Sequence, residues 1–123
     1  MKKLRVMQRI IDTGIISVIR ANSPEQALKI ANAVKTGGID VVEITMTVPG
    51  AIEVIKELKR TYQNGEILIG AGTVLDSETA RIAMLAGAEF FVSPYFDTEI
   101  VKLCNRYQKV TMMGAMSIKE VIE

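Results

Sequence analysis

Val41-Val42-Glu43-Ile44-Thr45 and Ile69-Gly70-Ala71-Gly72-Thr73-Val74 decide how this chain is read. The first is an apolar, strand-like run with a carboxylate inside it, and the second puts a glycine turn at a strand end. A charge in a buried strand costs free energy unless it has partners or a task. Alternate side chains of a strand share a face, so Val41, Glu43 and Thr45 point one way while Val42 and Ile44 point the other. If Val42 and Ile44 pack on helices, Glu43 faces the opposite, interior side. A structural carboxylate paired with Arg20 or a lysine is the competing reading of Glu43.

Similar apolar runs fall at Ile15 to Ile19, Ile39 to Ile44, Ile67 to Ala71, Phe90 to Val92 and Val110 to Met113, with a helical segment between each pair. Helix starts are expected at Ser23-Pro24-Glu25, Thr47-Val48-Pro49 and Asp76-Ser77-Glu78. Their ends are expected at Gly37-Gly38, Asn64-Gly65 and Gly87, and Ser117-x-x-Glu120 is a capping-box signature for a further helix. Strict alternation of this kind predicts an α/β fold with a parallel sheet, each helix serving as a crossover. Gly38-Ile39-Asp40-Val41-Val42-Glu43 is echoed by Gly87-Ala88-Glu89-Phe90-Phe91-Val92, a spacing of two β/α units. No linker or low-complexity tract interrupts the chain, so residues 1–123 read as a single domain. Five strands suit either an incomplete (β/α)8 TIM barrel or an open, flavodoxin-like parallel sheet, and periodicity alone does not separate the two.

Composition removes whole reaction classes. The 123 residues contain no histidine and one cysteine, Cys104. A Ser-His-Asp triad, a Cys-His pair, a His-based zinc site and an internal disulfide are therefore unavailable within them. Fifteen Lys and Arg balance 14 Asp and Glu, with no electrostatic footprint for nucleic acid or a membrane surface. The basic start Met1-Lys2-Lys3-Leu4-Arg5 is followed by Gln8, Arg9 and Asp12 rather than an apolar core, so no signal peptide or membrane span is expected and the cytoplasm is the expected location. Cys104 reads as a packed thiol, and Met112, Met113 and Met116 as core filler.

Gly70-Ala71-Gly72-Thr73 lacks the third glycine of a dinucleotide fingerprint and the Gly-Lys-Ser/Thr of a P-loop. Taken with Val18-Ile19-Arg20, Val41 to Thr45 and Phe91-Val92-Ser93-Pro94, it resembles the Schiff-base aldolases that cleave 2-keto-3-deoxy-6-phosphogluconate (KDPG) or 4-hydroxy-2-oxoglutarate (KHG). The resemblance runs almost end to end and implies the barrel. It also implies an aldehyde-lyase that forms pyruvate plus an aldehyde, with no metal and no cofactor. Glu43 matches the glutamate that shuttles protons through water. Arg20, Thr45, Thr47, Gly72, Thr73 and Pro94 match positions around the substrate, Thr73 at the pyruvate carboxylate and Pro94 on the methyl pocket.

Departures from the family pattern lie at Thr47, where many members have an arginine, at Met113, where a proline is usual, and at Ile118, which replaces another. The family's nucleophilic lysine lies in a Leu-Lys-Leu-Phe-Pro-like sixth strand, which these 123 residues do not contain. The chain by itself is therefore expected to be inactive, or a non-catalytic half-barrel that self-associates. The partners implied are a small keto acid or pyruvate and further copies of the same chain, the family often being trimeric.

Overall fold

A computed structural model of the protein describes residues 2–123. Its elements run α1 (Lys2–Thr13), β1 (Ser17–Ile19), α2 (Pro24–Thr36), β2 (Val41–Thr45), α3 (Ala51–Thr61), β3 (Leu68–Gly72), α4 (Ser77–Ala86), β4 (Phe90–Ser93), α5 (Thr98–Arg106), β5 (Val110–Met113) and α6 (Ile118–Ile122). All neighbouring strands are parallel, and their spatial order is β1-β2-β3-β4-β5. That order removes the open flavodoxin-like alternative, whose winding reverses after the first unit and distributes helices over both faces. Here α2 packs on α3, α3 on α4 and α4 on α5, so successive crossovers lie side by side on one face. The chain forms five consecutive β/α units of a (β/α)8 barrel. None of its described helices is long and apolar enough to cross a membrane.

The two faces of the sheet carry different residues, as the alternation in β2 requires. Ile19, Val42, Ile44, Ile69, Ala71 and Phe91 face the helices and pack with Ala27, Val54, Ile55, Leu58, Ala83 and Ile100. Val41, Leu68, Phe90 and Val110 face inward and form a second cluster with Val6 of α1. Within it the Phe90 ring fills the space a side chain at residue 70 would need: a Cβ on Gly70 would collide with it.

Helix α1 was not expected from the sequence, because its mixture of basic and apolar residues carries no capping motif. It closes the floor of the inner face. Arg9 bonds Asp40 at 2.8 Å and the carbonyls of Gly65 and Glu66, and Lys2 pairs with Glu89 at 2.9 Å. Lys109 meets the same carboxylate at 2.7 Å. Burial works against the charge on Glu89, but the hydrogen bonds and positive charges of Lys109 and Lys2 outweigh it and hold its carboxyl below the ordinary glutamate value. A depressed native pKa contributes stability that is present above about pH 4.5 and is lost as pH falls through the native value. Glu89→Gln is therefore expected to lose about 1–2 kcal/mol at neutral pH and to converge with the parent in acid, as denaturant titrations at pH 7 and pH 3 would measure.

The sequence echo has a structural counterpart. Gly38 and Gly87 both take positive φ, and the next amides, Ile39 and Ala88, bond back to Val34 and Ala83. Lys109 bonds back to Cys104 in the same way, which puts Gln108 at φ 57. A non-glycine residue pays a steric cost there that glycine avoids. Gln108→Gly is expected to raise stability by about 0.5–1 kcal/mol, read from the denaturation midpoint. The helix expected to begin at Thr47-Val48-Pro49 instead begins at Ala51, because two successive turns (Val48 N–H to Thr45 C=O, then Ala51 N–H to Val48 C=O) use that segment first. Gly50 makes the entry at φ 66 with the Pro24 ring against it. Cys104 is fully buried, and burial pushes its thiol up to about 11; in the folded protein it should not react with a thiol reagent at neutral pH.

Candidate active site at the strand ends

The residues singled out in the sequence lie where β1 to β4 end. Glu43 is only 6% exposed. Its side chain leans along β2 and across to β3, where it rests over Gly72; a Cβ on Gly72 would collide with Oε1, Cδ and Cγ of Glu43. The close approach explains the second glycine of Gly70-Ala71-Gly72. No ion pair or hydrogen bond engages the Glu43 carboxylate among the described residues, so the salt bridge to Arg20 that the competing reading required is not formed. Arg20 lies exposed just past β1 and acts on Glu43 through space. Burial raises the Glu43 pKa above the ordinary glutamate value, and the Arg20 charge opposes this only in part.

Thr45 shares the face of Glu43 and is 1% exposed; its hydroxyl donates to the Ile19 carbonyl at 2.8 Å. Thr47 is exposed on the turn that follows β2. Thr73, directly after Gly72, has φ 53. A β-branched residue in the left-handed region is strained, and such strain gathers at ligand-binding positions. The loop around it is held by Met46 N–H to Gly72 C=O at 2.8 Å, by Val74 N–H to Val92 C=O at 3.1 Å and by the Tyr95 hydroxyl on the Leu75 carbonyl. Tyr95 was missed in the sequence, since nothing local announces a bond to a carbonyl twenty residues earlier. Pro94 is exposed past β4, and its carbonyl leaves no room for a side chain on Gly114, whose N–H bonds the Ser93 carbonyl at 2.8 Å.

The structure thus brings Glu43, Gly72 and Thr73 together with Arg20 nearby, and sets Thr47 and Pro94 on the rim. A buried carboxyl with free lone pairs, a raised pKa and a neighbouring cation is equipped to exchange protons with a bound anion. The described lysines stand elsewhere: Lys109 is at the start of β5, paired with Glu89, and the others lie on helices. A separate surface cavity of about 210 Å³, lined by Ser77, Glu99, Lys102, Leu103 and Arg106, lies between α4 and α5 in the helical layer.

Known proteins resemble the chain throughout. The family model described as KDPG and KHG aldolase matches residues 6–123. A 2-dehydro-3-deoxy-phosphogluconate aldolase of Treponema pallidum is 36% identical over 118 residues, which are 96% of this chain and 55% of that protein. The KDPG aldolase of Legionella pneumophila, solved with pyruvate captured as a covalent carbinolamine intermediate, superposes with a TM-score of 0.78 at 34% identity, covering 87% of this chain and 51% of that one. That of Zymomonas mobilis does so with a TM-score of 0.78 at 32% identity, covering 87% and 50%. The chain spans about half the length of the relatives it matches. With the family model matched over nearly all of its residues, the chain belongs to the KDPG and KHG aldolase family.

Proposed function

We propose that the strand-end site serves the reversible cleavage of a 2-keto-3-deoxy sugar acid phosphate, or of 4-hydroxy-2-oxoglutarate, to pyruvate and an aldehyde. The observation that carries this reading is the placement of Glu43: buried, without an ion-pair partner, and seated on Gly72 beside the strained Thr73. A lysine amine adds to the C2 ketone to give a carbinolamine, which loses water to become an iminium. The iminium accepts the electron pair of the breaking C3–C4 bond, leaving an enamine and releasing the aldehyde. Glu43 carries the protons: it gives one to the departing hydroxyl, takes one from the C4 hydroxyl as the C3–C4 bond breaks, and returns that one to the enamine carbon. Water then adds to the pyruvate iminium, giving its proton to Glu43, and pyruvate leaves the regenerated amine. Arg20 and Thr73 hold the carboxylate, Gly72 lets it approach the backbone, Thr45 and Thr47 border it, and Pro94 walls the methyl side. The amine comes from a segment other than the lysines described above, since Lys109 is paired with Glu89 at the start of β5 and the others lie on helices.

The test is a chimera in which the part of the Treponema pallidum relative beyond its matched region follows Glu123. Pyruvate release from either substrate is the expected result, whereas a folded chimera that releases pyruvate from neither contradicts the reading. The present chain alone should give no borohydride-trapped pyruvate adduct by mass spectrometry.

A second reading, a half-barrel that associates with copies of itself, is favoured by one observation. β1 and β5 each pair on one side only, and Val18, Met116, Ile118, Val121 and Ile122 are exposed apolar residues. Unpaired strand edges invite pairing with another chain. Sedimentation should then show oligomers that grow with concentration; a monomer at all concentrations contradicts it.

A further inference from the structure

We infer that Thr45 is a positioning residue that acts through the Ile19 carbonyl to hold Arg20 beside Glu43. The inference rests on the function proposed above but concerns a hydroxyl that is already engaged by a main-chain carbonyl. Thr45 donates its hydroxyl proton to Ile19 at 2.8 Å, and both residues are 1% exposed, so the bond is shielded from water. Ile19 is the last residue of β1 and packs outward in the helix-facing core. Arg20 follows at once, exposed, and is the first residue beyond the ladder. Its place is therefore set by where β1 stops, and the Thr45 hydroxyl fixes that end to β2, two residues beyond Glu43.

The charged surroundings of Glu43 are simple. Gly70 and Gly72 face it from β3, and Arg20, exposed just past β1, acts on it through space. The remaining inward charges (Arg9, Asp40, Glu89 and Lys109) lie on the floor at the opposite strand ends and are paired with one another or with Lys2. The proton affinity of Glu43 therefore responds to where Arg20 stands, which gives the Thr45 bond a consequence that sheet stability alone does not.

The test is an NMR titration of the Glu43 side-chain carboxyl carbon in the present chain, with no substrate and no need for turnover. Thr45→Val, which keeps the shape and removes the donor, should move the Glu43 midpoint upward. Thr45→Ser should leave it where it is. Arg20→Gln should move it upward as well, and Thr45→Val with Arg20→Gln should move it no further than Arg20→Gln alone, because both act on one interaction. A folded Thr45→Val variant with an unmoved midpoint, or shifts that add in the double variant, overturns the inference. If Thr45→Val does not fold, Thr45→Cys, whose thiol is a weak donor, takes its place with the same two outcomes. An inactive chimera would count against the proposed function and leave these midpoints as they are, so the two failures are distinguishable.

Discussion

Gly72→Ala is expected to lower cleavage by the chimera by about 10²-fold or more while leaving the fold in place. The added Cβ enters the space of the Glu43 carboxylate, so the side chain must leave its seat, and a proton carrier moved by an ångström loses its alignment with the reacting atoms. The stability cost is modest, about 1–2 kcal/mol, since a side chain can swing aside where backbone cannot. Gly70→Ala is the control. Its Cβ meets the Phe90 ring, which is fully buried in the inner cluster, so the loss there falls on stability, about 1–3 kcal/mol. Urea midpoints and pyruvate release on the same preparations should separate the two variants; equal activity loss per folded molecule would remove the special relation between Gly72 and Glu43.

Glu43→Gln is expected to reduce turnover by a general acid–base factor of roughly 10² to 10⁴ without weakening the fold. Were Glu43 the buried partner of Arg20, the amide would leave a guanidinium unpaired and the protein would be destabilised. In the structure that pair is not formed. The native carboxyl has a raised pKa, so between about pH 4.5 and its native value the folded state binds more protons than the unfolded state. Stability from this group therefore falls as pH rises through that window. The amide has no such penalty, and Glu43→Gln should be at least as stable as the parent at pH 7. Its stability should also lack the parent's decline through the Glu43 window, the opposite of the slope carried by Glu89. A variant clearly less stable at pH 7 would mark Glu43 as a structural ion.

Strand periodicity and helix punctuation made the β/α alternation legible, and the parity of Val42 and Ile44 against Glu43 gave the inward face correctly. Barrel against open sheet was not legible from periodicity, because both use the same local pattern and differ only in which face each crossover takes. Helix α1 escaped because its hold on the floor comes from pairs distant in sequence, Arg9 with Asp40 and Lys2 with Glu89. At the site, the buried, inward-facing carboxyl of Glu43 was visible in its strand. The seat provided by Gly72, the left-handed backbone of Thr73 and the Tyr95 bond to Leu75 were not, since each depends on how neighbouring strands register. The motif Thr47-Val48-Pro49 misled because proline and a hydroxyl residue suit a tight turn as well as a helix start.

The central claim, that Glu43 is the proton carrier of a pyruvate-forming site, is tested most directly by exchange at the pyruvate methyl group. In D₂O the iminium of pyruvate and its enamine interconvert by moving a methyl proton, so the intact chimera should wash deuterium into pyruvate, followed by proton NMR. The Glu43→Gln chimera should still give a borohydride-trapped pyruvate adduct, showing that the amine works, while exchange falls by about 10² to 10⁴. Deuterium wash-in at the parent rate in a trappable Glu43→Gln chimera would contradict the account.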